Sequence, residues 1–200
     1  METKSGSVVS PELAGMVAQE VERQLGRHRE EVGRELAALR ERTVDDRATL
    51  VVFSGDLDKV LAAFVIAAGA AAAGLQTSMF FTFWGLSAIK KPGAAGGAKS
   101  LKERMFGLMT ASSSRALDTS KMSFFGMGAR MLRSMMKDKQ IATLEELMEV
   151  ARDLDVKMIA CTMSMDAMGI GKQELLDGLE YGGVATYMAD AARSRVTLFI

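Results

Sequence analysis

The sequence predicts an α/β domain built on a doubly wound, mainly parallel sheet, preceded by an N-terminal helical arm. Three observations carry that prediction. Apolar runs such as "ATLVVF" and "VKMIA" contain few polar residues and read as strands buried on both faces, the habit of parallel sheets. Helical patterns stand between successive runs, as parallel crossovers require. A chain of 200 residues with a single cysteine must rely on a core rather than on disulfides, and at that length it buries about two thirds of its unfolded surface.

Taken in order, residues 11–43 form a charged helical pattern in which Leu25, Val32 and Leu39 recur every seven residues with Leu36 between them. This spacing predicts an amphipathic or short coiled-coil arm. Glu22 and Arg29 interrupt the seam, so the arm is expected to pack on its own domain or on a sister subunit rather than in a long zipper. The single histidine, His28, reads as a solvated helix-face residue. The expected division is an arm over residues 1–47 and an α/β domain over 48–200.

From Ala48 an apolar strand runs into "FSGDLDK", whose Ser54, Gly55 and Asp56 mark a turn and a helix start. A helix from about Lys59 to Leu75 and a strand from Ser78 to Trp84 follow. Between Lys59 and Lys90 thirty consecutive residues carry no charge, long enough to span a bilayer. The run changes near Gln76 from Ala-rich to β-branched and aromatic, which favours a buried helix and a buried strand instead. Membrane contact through residues 60–86 stays as the alternative.

The middle is less regular. "LKERMFGLMT" suggests a short helix, and "GMGARMLRSMMKDK" a helix with Met131, Leu132, Met135 and Met136 along one side as core filler. "TLEE", Thr143 to Glu146, is a capping box opening a helix whose Leu144, Leu147, Met148, Ala151 and Leu154 share a face. A strand from Val156 to Ala160 leads to Cys161, and a helix over about Val184 to Arg193 leads to the closing strand "VTLFI". Four strands are placed this way, with room for a fifth in the middle region.

The 25 basic and 25 acidic residues cancel, so no basic excess announces nucleic acid as a partner. A lone cysteine provides neither a disulfide nor a Cys-based zinc site and fits a reducing, cytoplasmic compartment. The start, "METKSGSVVS", has no apolar h-region, so no secretory signal is expected.

Cys161 is the candidate reactive residue, because ligands and reactive groups gather at the carboxyl ends of strands in open parallel sheets. If a helix or turn starts after it, backbone N–H groups aimed at a sulfur favour the thiolate. Thr162 and Ser164 add hydroxyls nearby, and Asp166 is a candidate contact whose simpler role is helix capping. Ser54 and Gly55 are expected on the same sheet edge, with turn formation as their plainer role. Gly182 and Gly183, after Tyr181, allow close backbone approach. No neighbouring histidine makes a Cys-His pair, so acyl transfer is poorly supported. Sulfur exchange needs no such base, only an accessible thiolate.

Two rival sites are visible. "GAAGGAKS", residues 93–100, approaches a phosphate-binding loop, but Ala98 stands where its last glycine belongs. Cys161 with Met163, Met165 and Met168 offers soft ligands suited to Cu(I). A non-catalytic assembly role is the rival of another class.

"KMIACTMSMDAMGI" and "LDGLEYGGVATYMADAARSRVTLFI", with "TFWGL" and "SKMSFFGMGARM" upstream, resemble the DsrE/DsrF-like sulfur-carrier family, in particular its larger DsrE2-like, "peroxiredoxin family" branch. The resemblance covers about Thr49 to Ile200 and leaves the arm outside. It implies a flavodoxin-like α/β fold, frequent homo-oligomers, and a persulfide or related adduct on the cysteine at Cys161. It further implies rhodanese-like or TusA-like sulfur-transfer partners. Some members of the branch are membrane-associated, and no metal or organic cofactor is needed for the chemistry.

Overall fold

The computed structural model describes residues 10–42, 45–93, 111–121 and 126–200. The chain divides into two compact units, residues 1–43 and 44–200. The first holds α1 (Pro11–Arg42). Proline stands at its first position, where the missing N–H costs nothing, and Ser10 Oγ accepts from Leu13 N–H at 3.4 Å.

In the second unit β1 (Asp45–Val52), α2 (Leu57–Ala72) and β2 (Gln76–Phe81) are followed by a 3₁₀ turn over Phe83–Ile89. Then come α3 (Met127–Asp138), α4 (Leu144–Asp153), β3 (Lys157–Cys161), α5 (Thr162–Met168), β4 (Glu180–Gly182), α6 (Val184–Ala191) and β5 (Ser194–Phe199). Among the described residues five strands form one sheet in the order β4-β3-β2-β1-β5. Every pairing in it is parallel. The α/β architecture with its N-terminal helix is therefore present as expected. The sheet grows in one direction from β1 to β4, and the chain then returns through α6 to place β5 on the far side of β1.

The two faces are covered unequally. Leu50, Val52, Met79, Phe81, Met158 and Ala160 point to one face, where they pack with Phe64 of α2 and Met148 of α4 in the main core. Each such fully buried side chain contributes about 1.5–3 kcal/mol. Successive strand residues alternate, so Phe80, Ile159 and Cys161 point the other way, toward Tyr187 of α6. No residue of α6 is itself buried.

The expected elements moved in detail. The expected strand to Trp84 stops at Phe81, because Phe83 adopts φ +46° and turns the chain into the 3₁₀ segment. The uncharged run is thus shared among α2, β2 and that turn, and among the described residues no helix is long and apolar enough to cross a membrane. The fifth strand is β4, after Cys161 rather than in the middle region; the segment "LKERMFGLMT" lies outside the described residues. On α3 only part of the methionine stripe is core. Met136 is buried, whereas Met131 and Met135 are about half exposed. The capping box is complete, with Thr143 Oγ1 accepting from Glu146 N–H and Glu146 accepting from Thr143 N–H. The Thr143 N–H on the carboxylate, with the Thr143 hydroxyl beside it, holds the Glu146 carboxyl below its usual value.

Candidate functional site

β3 ends on Cys161, which also caps the start of α5. Its φ of −71° and ψ of 111° keep it extended while Thr162 begins the helix. The residue is 2% exposed. It shares a small apolar cluster with Phe80 and Ile159, and Phe80 is the register partner of Ile159 on β2. The Tyr187 ring packs 5.5 Å from the Phe80 ring and forms the outer side of this cluster. Among the described residues Tyr187, half-buried on a short helix, is the partly buried hydrophobic side chain packed against this cluster.

That arrangement gives a first expectation. Tyr187→Ala should raise the alkylation rate of Cys161 by iodoacetamide severalfold in the native protein, because it removes a side chain packed against the Cys161 cluster without unfolding the sheet. An unchanged rate would mean that the sulfur is screened by something other than Tyr187.

The hydroxyls near the sulfur have structural partners. Ser164 is fully buried and bonds Thr82 Oγ1 at 2.7 Å, tying α5 to the residue that follows β2. Removing one member strands the other, so Ser164→Ala should cost about 1–3 kcal/mol in denaturant unfolding. Thr82→Val together with Ser164→Ala should cost less than the two single changes added, since neither hydroxyl is then left unpaired. Additive losses would show that the bond contributes nothing. Thr162 Oγ1 makes a long contact of 3.5 Å to the Gly182 carbonyl.

Gly182 is the register partner of Cys161. A Cβ there would lie 2.7 Å from Thr186 Oγ1 and 2.9 Å from Thr186 Cβ, so the first turn of α6 descends onto β4 only because this position is glycine. Gly183 caps α6 in an extended conformation. Asp166 is exposed and lies within α5, beyond its first turn, so it does not cap the helix start. Tyr181 turns to the opposite face, where it packs against the main core with Lys172 Nζ 4.5 Å from its ring centroid.

Cys161, Thr162 and Gly182 are thus brought together at one point of the sheet edge, whereas Ser164 is held by Thr82. Ser54 and Gly55, which follow β1, stand on the same carboxyl edge of the parallel sheet with β2 between β1 and β3, in a crevice of about 430 Å³ lined by Phe53, Asp56, Lys59 and Trp84 among others. Ser54 donates to Asp56 Oδ2 at 2.9 Å and accepts from Asp56 N–H at 3.1 Å, which is turn chemistry. Lys59 Nζ lies 2.7 Å from the same Oδ2, and that bond holds its ammonium above the usual lysine range. The soft-metal set does not assemble: Met165 and Met168 belong to the main core, Cys161 faces the other side, and Met163 is 60% exposed. Of the phosphate-loop pattern at 93–100, all but Gly93 lies outside the described residues.

Sequence reasoning missed Thr82, Phe80 and Tyr187. Thr82 and Tyr187 stand in stretches already singled out, "TFWGL" and "EYGGVATY", yet no local pattern signals that they meet residues of β3 and α5.

Comparison with known proteins fits this geometry. Residues 44–199 match the DsrE/DsrF/DrsH-like family. The Bacillus subtilis protein YrkE is 46% identical over 154 residues, covering 77% of this chain and 96% of that one. The sulfur carrier protein DsrE2 of Allochromatium vinosum is 32% identical over 161 residues, covering 77% of this chain and 98% of that one. The crystal structure of the ychN protein from E. coli aligns over 77% of this chain and 99% of its own, with 12% identity and a TM-score of 0.44. The match excludes the arm and takes in the whole sheet with its terminal cysteine strand, and on it the chain belongs to the DsrE/DsrF/DrsH-like family.

Proposed function

We propose that this protein is a sulfur carrier that holds sulfane sulfur on Cys161 and relays it to a partner thiol. The observation that carries the reading is the placement of the chain's one cysteine at the carboxyl end of β3, at the start of α5, in a chain related to a named sulfur carrier. That is where open parallel sheets present reactive groups.

The step balances without an added oxidant. The Cys161 thiolate, its proton lost to solvent, attacks the outer sulfur of thiosulfate. A new S–S bond forms, the old one breaks, and sulfite leaves with the electron pair. With a polysulfide the leaving group is the shortened chain. With tetrathionate the same attack expels thiosulfate and leaves a thiosulfonate group on the cysteine. A second thiolate then takes the sulfane sulfur by the same displacement and Cys161 is restored as thiolate. The apolar cluster around Cys161 shields the adduct from water, and movement of Tyr187 gives it access.

On this reading residues 44–200 are the carrier domain and residues 1–43 an appended arm. Thr162, Ser164, Gly182 and Gly183 shape the surroundings of the sulfur, and Asp166, Ser54 and Gly55 are outer contacts for the incoming partner. Rhodanese-like or TusA-like proteins in the cytoplasm are the donors and acceptors, and the carrier works as a homo-oligomer. Intact mass after incubation with polysulfide or thiosulfate, beside Cys161→Ser, is the test.

A further inference from the structure

α1 carries an apolar stripe along one side. Leu25, Val32, Leu36 and Leu39 are 51, 39, 52 and 57% exposed. A single helix of this charged composition is marginal in water, and its stability normally comes from packing such a stripe. The seven-residue spacing of Leu25, Val32 and Leu39 is that of a helix laid against another helix. The rest of the helical surface says what kind. From Pro11 to Arg42 there are seven glutamates, six arginines and no lysine. A membrane surface or a nucleic acid calls for a basic polar face, whereas a mixed face suits another mixed face.

The interruptions of the seam select an orientation. In a parallel pair of identical helices Glu22 would oppose Glu22 and Arg29 would oppose Arg29, like charges in two layers separated only by Leu25. Reversing one helix puts Leu25 against Leu36, Arg29 against Val32 and Glu22 against Leu39. The two Glu22 residues then stand about 25 Å apart along the axis. Arg29 then lies with its stem along Val32 of the opposite helix and its charged head at the edge of the seam.

We propose that α1 of this chain pairs antiparallel with α1 of a second copy, with Leu25 packed on Leu36 across the seam. The pairing lies outside the family match and does not depend on the sulfur chemistry.

The test uses the full chain with Cys161→Ser so that only introduced thiols react. Leu25→Cys with Leu36→Cys on one chain should give a disulfide-linked dimer under mild oxidation, while each single substitution should not. Adding Val32→Asp should abolish the crosslink and lower the sedimentation coefficient. Crosslinking of the single variants as readily as the double would overturn the antiparallel arrangement. A double variant that stays uncrosslinked at every concentration tested would overturn the pairing and leave the stripe to the chain's own second unit. Either result is separate from loading of sulfur on Cys161 in the native chain.

Discussion

Cys161→Ser is expected to abolish sulfur loading completely, while the native chain gains one sulfur atom from thiosulfate or polysulfide and loses it again with dithiothreitol. The loss is total rather than partial because a serine hydroxyl is a far weaker nucleophile at neutral pH and the chain has no second thiol to substitute for it. Serine is close to isosteric, but its hydroxyl enters an apolar cluster and should cost about 1–3 kcal/mol in stability, so matching far-UV spectra well below both unfolding midpoints are the control that the variant is folded. Reversal by reductant matters, since it separates a persulfide or thiosulfonate from irreversible oxidation to sulfinic or sulfonic acid. If the native protein takes up no sulfur while the unfolded chain shows an ordinary reactive thiol, Cys161 is a packed core residue. A scaffolding role would then be favoured, with partners retained by the serine variant. The 2% exposure of Cys161 makes this a demanding test, because loading requires the site to open.

Gly85→Ala should be the most damaging conservative change in the α/β unit, lowering its stability by about 3 kcal/mol or more. Gly85 lies in the 3₁₀ turn where the chain leaves β2. Its N–H donates to Phe53 O at 2.9 Å and Thr82 O at 3.0 Å, so the turn is fixed to the end of β1. A Cβ at this point would meet Val52 O at 2.0 Å and Val52 C at 2.8 Å, both backbone atoms of the fully buried last residue of β1. That carbonyl is also in use, accepting from Thr82 N–H at 3.0 Å. Neither side can give way easily, because close-packed interiors transmit strain instead of absorbing it. Phe83 already holds a left-handed φ of +46°, itself worth about 1–3 kcal/mol of strain in a bulky residue. Thermal denaturation should register the change as a fall of roughly 6–12 °C for a unit of this size. A shift within a degree would mean that the turn moves freely and that glycine is not required. Since Thr82 ties this turn to Ser164, the same variant should also raise native-state alkylation of Cys161.

Much of this protein is legible residue by residue. The parallel sheet follows from strands with apolar residues on both faces, seen in "ATLVV" and "KMIAC", and the α4 start follows from the Thr143/Glu146 box, which is purely local. The placement of Cys161 follows equally from the length of the apolar run before it. β4 was not legible, because three residues, Glu180 to Gly182, hold no periodicity and form a strand only through the partner offered by β3. The end of β2 was misplaced because aromatic Phe83 and Trp84 have strand propensity, and that preference yields to the close approach of Gly85 to Val52.

By itself the sequence determined the class of fold, the helical arm and the strand that presents the cysteine, since each rests on local patterning, and its motifs carried the family resemblance. Only the tertiary structure decided which face of the sheet Cys161 occupies, that Tyr187 packs against its cluster, that Ser164 bonds Thr82, and that Ser54 and Gly55 line a crevice beyond β1. The physical reason is that local periodicity fixes which residues are buried, whereas strand order and register fix what they are buried against. Those follow from contacts between segments far apart in the chain, which no window of sequence contains.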